Sequence, residues 1–272
     1  MRNISHIIKF LLSIIVVILF SFHAYSEMPN DTIFSQDLSS RESDICDEAE
    51  SQFTKFKPQQ LIVPGVLMVS GLAGAIDCEN NLNRSVRDAM TDLSDGRQCK
   101  IDDYLRFLPS AAHLVMGSLG IKSKHNFKER FLISATAHAA MLVIGYGSKF
   151  IIHEQRPDLS DNKSLPSGHV ALAFTGAELL RMEYGTAYGI AGYTLATGIA
   201  FLRLYNNKHW LNDVLMGAGI GILSARIGAW MLPFERKLFK INKKSNKSST
   251  IALMPTYNPL DKACMMSFNA IF

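Results

Sequence analysis

Apolar and polar residues alternate along this chain in long blocks. Apolar runs cover Ile7–Phe22, 61–76, 107–121, 131–147, 170–180, 187–204 and 214–232. Polar stretches separate them: an acidic one at 27–50 with Arg41 as its one basic residue, then 77–106, a basic one at 122–130, 148–166, and a basic one at 235–247. Residues 250–272 show no clear period. Most of the apolar runs suit helices and are too long for ordinary strands. The pattern predicts an all-α bundle of about six helices. Gly217 and Gly221 form a small-xxx-small pair that lets two helices approach closely. Several runs fall short of the roughly 20 residues of a membrane span, and Glu178 and Arg226 lie in or at the edge of apolar runs, so a soluble bundle stays open. The nearly charge-free runs from 131, 187 and 214 favour membrane insertion.

Composition narrows this further. The 272 residues are 48% hydrophobic and 19% charged, with a mean hydropathy of +0.10. These values exclude disorder, collagen and coiled coil as descriptions of the whole. A net charge of +4 does not call for a nucleic-acid partner. At the N-terminus, Arg2 and Lys9 accompany the first apolar run, and Ala24-Tyr25-Ser26 offers small residues for cleavage before Glu27. This layout predicts a signal peptide at 1–26, with an uncleaved signal anchor as the alternative. Either places residue 27 outside the cytoplasm. Cys46, Cys78, Cys99 and Cys264 have neither zinc-site nor CxxC spacing. A Cys78–Cys99 disulfide is compatible with an oxidising compartment. The expected organisation is a signal at 1–26, then a polar exported lead-in over 27–100 with one apolar helix. A helical domain follows over 101–235, then a basic segment and tail over 236–272.

Three clusters stand at the ends of apolar runs: Lys149 with Arg156-Pro157; Pro166-Ser167-Gly168-His169; and Arg203, His209 and Asp213. Singly, each has a plain structural reading. Lys149 could snorkel, Ser167 could be an N-cap at a turn, and His209 and Asp213 could be an i,i+4 surface pair. Together they fit phosphate chemistry. Lys149, Arg156 and Arg203 are three cations for phosphate oxygens. Ser167 and Gly168 open a helix whose backbone N–H groups can cradle an anion. Asp213 can accept from one imidazole nitrogen of His209 and leave the other nucleophilic. His169 is positioned as an acid for a leaving group. No carboxylate cluster or multi-histidine site suggests a metal. His153 reads as a loop residue, His113 and His138 as core histidines, Trp210 as an interfacial anchor, and Asp102-Asp103 as a solvated helix start.

These residues resemble the type 2 phosphatidic acid phosphatase superfamily, which includes lipid phosphatases, bacterial class A acid phosphatases and vanadium haloperoxidases. Its motifs Lys-x6-Arg-Pro, Pro-Ser-Gly-His and Ser-Arg-x5-His-x3-Asp match Lys149/Arg156/Pro157, Pro166–His169 and Arg203/His209/Asp213. One departure is Leu202, where the family has Ser. The resemblance implies that His209 attacks phosphorus to form a phosphohistidine and that Asp213 orients it. It implies that His169 protonates the leaving group, and that Lys149, Arg156, Ser167, Gly168 and Arg203 hold phosphate oxygens. It implies no metal or other cofactor. The expected partners are a phosphorylated lipid substrate (lipid A or undecaprenyl pyrophosphate favoured) and the bilayer. The alternatives are a soluble periplasmic acid phosphatase and a catalytically silent scaffold.

Alternating helices put all three motifs at one end. The basic stretches 122–130 and 235–247 then lie at the other end, which is cytoplasmic by the positive-inside rule. The site is therefore expected to face the periplasm from the inner membrane. With residue 27 outside, this parity requires that 61–76 be interfacial or re-entrant.

Overall fold

The computed structural model describes residues 53–76, 81–241, 250–258 and 263–271. The predicted signal, the acidic stretch 27–50 and Cys78 lie outside these residues, and with Cys78 so does the predicted Cys78–Cys99 pairing. The helices are α1 Ile62–Ile76, entered through a 3-10 turn at Pro58–Leu61; α2 Asn81–Ser94; α3 Asp102–Leu105; α4 Leu108–Val115, continued by a 3-10 turn at Met116–Leu119; α5 Phe127–Ile151; α6 Gly168–Tyr184; α7 Thr186–Tyr205; and α8 Leu211–Leu238. The all-α bundle of the sequence reading is present. The tail adds two antiparallel strands, β1 Thr250–Asn258 and β2 Ala263–Ile271, in a stretch whose sequence gave no period.

Local chemistry sets several helix ends. Asn126 caps α5 by accepting from the Glu129 N–H at 3.0 Å. Gly185, at φ +95°, ends α6 and turns the chain straight into α7. At the start of α8, Asp213 accepts from the Trp210 N–H at 2.8 Å, so this carboxylate also satisfies a backbone donor at the helix entrance.

Helix α8 is the axis of the bundle, and its glycines make that role physical. A Cβ on Gly217 would fall 2.7 Å from the Ser167 carbonyl oxygen, and one on Gly221 would fall 2.5 Å from that of Ala171. The small-residue pair read from sequence therefore seats α8 against the start of α6. Gly228 makes the same close approach to Ile133 and Ala137 of α5. Leu179, Ala225, Ala229 and Leu232 fill the space among α5, α6 and α8.

Helix α1 departs from expectation. Read as interfacial or re-entrant, it instead lies lengthwise and antiparallel along α8. Gln60 meets Trp230, Met68 meets Gly219, and Gly71 meets Asn212 and Met216. Helix α2, from the stretch read as a polar lead-in, buries Asn83, Val86, Met90 and Ser94 along one face. Val86 and Met90 join a core with α6, α7 and α8. The helical unit thus begins well before residue 101.

Among the described residues, three helical stretches are long and apolar enough to cross a membrane: Pro58–Ile76, Phe127–Ile151 and Leu211–Leu238. Val66, Val69 and Ile76 of the first, and Val143, Phe150 and Ile151 of the second, face outward. The charges that made membrane insertion questionable are paired inside. Glu178 is fully buried and lies 2.7 Å from both Arg181 and Arg226, and it also accepts from the Tyr193 hydroxyl at 2.7 Å.

Candidate active site

All three motifs converge at the end of the bundle where α5 and α7 finish and α6 and α8 begin. His209 and Asp213 form its centre. The turn after α7 carries His209, and the first turn of α8 carries Asp213. Both side chains are buried, and His209 Nδ1 lies 3.1 Å from Asp213 Oδ2. With Nδ1–H donating to the carboxylate, Nε2 keeps its lone pair. Burial holds the His209 pKa well below its ordinary value, and the charges of Arg203, Arg156, Lys149 and His169 lower it further. The imidazole is therefore neutral at physiological pH, which is the nucleophilic form.

Ser167 precedes the first residue of α6, as a capping serine would, but its hydroxyl makes no cap hydrogen bond. That oxygen is buried and has no partner among the described residues. The Ser167 N–H, expected in the phosphate cradle, instead donates to the Asp213 carbonyl oxygen at 3.1 Å. The hydroxyl is thus the group that Ser167 has to offer a ligand. Gly168 starts the helix, where N–H groups lack intrahelical acceptors. A Cβ there would meet nothing within 4 Å, so open space lies in front of this backbone.

The three cations expected from sequence lie near enough to His209 to act on it by charge, and each is held by a neighbour. Lys149 Nζ donates to the Lys163 carbonyl at 2.6 Å. Arg156 Nε donates to Asp161 at 2.9 Å. Arg203 is buried, and its Nη1 donates to Asp102 at 2.9 Å. Arg203 Nε remains without a partner among the described residues. Nearby, Lys208 pairs with Asp158 at 2.7 Å.

Asp102 and Asp103 are not a solvated helix start. Asp102 is buried against Arg203, and Asp103 lies 2.8 Å from His169 Nε2. The hydrogen bond to His169 holds the Asp103 carboxyl below its ordinary pKa, against its own modest desolvation. Arg106 Nη1 also touches the His169 ring, 3.1 Å from Nδ1 and 2.9 Å from Nε2. The ligand atoms of Asp102, Asp103 and His169 all lie within 4.8 Å of one another. Arg203 and Arg106 supply positive charge to that cluster, and we assign the carboxylates to them.

Sequence reasoning missed Asp102, Asp103 and Arg106 as site residues because their partners lie about 65 to 100 positions away, beyond any local pattern. It also missed Glu154, although this carboxyl falls inside the first motif. The other candidates resolve more simply. His153 is exposed. His138 is held by Ser110 and Ser134, and His113 is buried in the core. The Trp210 indole donates to the Gln155 carbonyl at 2.7 Å, which ties the first motif's loop to the start of α8.

The family model of the PAP2 superfamily matches residues 130–237. A lipid A 1-phosphatase of Porphyromonas gingivalis is 35% identical over 155 residues, which cover 56% of this chain and 35% of that protein. The chain thus spans about a third of the length of this curated relative. No solved structure matches. The matched segment, which is similar to the PAP2 superfamily, holds all three motifs.

Proposed function

We propose that this chain is a lipid phosphatase that releases phosphate from a lipid phosphate or pyrophosphate through a phosphohistidine on His209. The observation that carries the proposal is the buried His209–Asp213 pair, with Lys149, Arg156 and Arg203 acting on it electrostatically. In the first step, His209 Nε2 attacks phosphorus, the ester P–O bond breaks, and His169 gives its proton to the leaving oxygen. In the second, His169 takes a proton from water, the water oxygen attacks phosphorus, and the P–N bond breaks to free phosphate and neutral His209. Asp213 stabilises positive charge on His209, and Asp103 stabilises the protonated His169. Lys149, Arg156, Arg203, the Ser167 hydroxyl and the Gly168 N–H hold the equatorial oxygens. Every one of these steps is available without a metal.

The relative's activity on lipid A favours lipid A as substrate, with undecaprenyl pyrophosphate next. We place the chain in the inner membrane with the site toward the periplasm. Lys122, Lys124, Arg236, Lys237 and Lys240 cluster at the opposite end, as the positive-inside rule favours. The antiparallel run of α1 brings Lys57 to that same basic end. An exported lead-in ahead of α1 does not fit this orientation. Single cysteines at the exposed positions 92 and 126 test it: only the first should react with an impermeant label from outside, and the reverse would overturn the orientation.

The enzymatic test is phosphate release by the purified protein from phosphorylated lipid A, undecaprenyl pyrophosphate, phosphatidylglycerol phosphate and phosphatidic acid, with His209→Ala as control. Release by wild type alone is expected. Silence on every lipid, or equal release by the variant, would defeat the proposal. A second reading, an exported soluble acid phosphatase, gains from the position of Lys57, because a domain that crosses no membrane imposes no parity with residue 27. Release by a carbonate wash would favour it.

A further inference from the structure

Glu154 lies five residues after Lys149 and two before Arg156, and the mechanism above gives it no part. Its partly buried carboxyl is gripped by the Asn212 side-chain amide, whose Nδ2 lies 2.9 Å and 3.0 Å from its two oxygens. Asn212 is fixed in turn by Asn83 of α2, which donates to its side-chain oxygen at 3.0 Å. The Glu154 carboxyl is also within hydrogen-bonding reach of the Asp213 carboxylate.

The two oxygens of Asp213 fare differently. Oδ2 is saturated by His209 Nδ1, the Trp210 N–H and the Ser164 hydroxyl. Oδ1 is buried and meets no donor among the described residues. Two ionised carboxylates cannot satisfy each other, because each only accepts. One proton on Glu154 removes the difficulty: its O–H donates to Asp213, and its other oxygen still accepts from Asn212.

We propose that Glu154 is a positioning residue for the nucleophile: its protonated carboxyl donates to Asp213 Oδ1 and fixes the carboxylate that holds His209. Its surroundings favour that protonation. Burial, and then the charge of Asp213, push the Glu154 pKa up to about 7. The titratable groups around the pair are Asp213 and His209, with Lys149 and Arg156 from its own segment. Helices α2 and α8 add the neutral Asn83 and Asn212. When Glu154 loses its proton, two like charges share the site, and Asp213 is pushed from the position that orients His209.

The activity arm of the test rests on the phosphatase reading; a second arm does not. Glu154→Gln keeps a donor for Asp213 and an acceptor for Asn212. Glu154→Ala keeps neither. Near pH 6, E154Q should hold kcat within about threefold of wild type, while E154A should lower kcat about tenfold or more with little change in KM. The wild-type rate should fall as pH rises through about 7, and E154Q should lack that step. The second arm is thermal unfolding of the same proteins without substrate. A carboxyl whose folded pKa is raised above its ordinary 4.5 stabilises the fold at low pH, and that contribution is lost as pH rises through the folded value. The melting temperature of E154Q should therefore gain on wild type between about pH 5 and about pH 8. A gap that stays flat with pH overturns the proposal, as does E154A matching E154Q in kcat. If wild type cleaves no lipid, the phosphatase reading fails, and the melting arm still decides for or against Glu154.

Discussion

The two ends of the bundle both concentrate charge, yet they hold it differently. At the end of α6 away from the site, the ion pairs are sealed: side-chain exposure is 4% and 0% for His125 and Glu183, and 11% and 2% for Arg226 and Glu178. At the site end, one partner of most pairs is open to water. Asp161, paired with Arg156, is 46% exposed, and Asp103, paired with His169, is 48% exposed. A sealed pair cannot exchange partners without leaving a bare charge in the interior. A half-open pair can, because its carboxylate can turn to water while the cation takes another anion. The charge at the far end is therefore structural, and that at the site end is available to a ligand. Arg203–Asp102, sealed at 9% and 1%, and His209–Asp213, sealed at 2% and 0%, are the exceptions; they fix the guanidinium and the imidazole in place.

The largest contrast comes from one substitution at each end. His209→Ala should abolish phosphate release, by at least about 10³-fold, while the donor lost by the buried Asp213 costs only about 1–3 kcal/mol of stability. Glu178→Gln should do the opposite. It leaves Arg181 and Arg226 facing a neutral amide in the interior, at a cost of about 3–5 kcal/mol. Denaturant unfolding should register that loss, while the fraction that remains folded keeps its kcat. If E178Q lowers kcat with unchanged stability, the division between the two ends fails.

How much of this was legible in the sequence follows from the range of each interaction. The helices were legible because apolar blocks of helical length need only local composition, and the two-stranded tail was not because its residues lack alternation. His209 and Asp213 were legible at i,i+4 spacing, and the Ser167-Gly168-His169 turn was legible because its groups are adjacent. Asp102, Asp103 and Arg106 were not, since α3 reaches Arg203 and His169 only through the packing of the whole bundle. Lengthwise α1 was missed for a related reason: its Gly71 fits against Asn212 and Met216, and Gly219 of α8 fits against Pro64 and Met68, but nothing local to either glycine says so. Glu154 was visible and passed over. A carboxyl between Lys149 and Arg156 stands out only once Asp213 Oδ1 is seen to lack a donor among the described residues.

The smallest effect probes a half-open pair directly. Lys208 and Ser160 hold the Asp158 carboxyl down at about 2, against a desolvation that alone would raise it. A carboxyl with a depressed folded pKa contributes stability above its unfolded value, and that stability is lost as pH falls through the folded one. Wild type should therefore lose this contribution between about pH 4 and about pH 2, and Asp158→Asn should lack it at every pH. Both side chains are accessible enough for water to screen them, so the neutral-pH difference should be no more than about 0.5 kcal/mol. It should shrink further in high salt. Melting curves of D158N and wild type at low and high salt measure it. A loss as large as that in E178Q would mean that the pairs at the site end are as structural as those at the far end, and that phosphate could not take their cations.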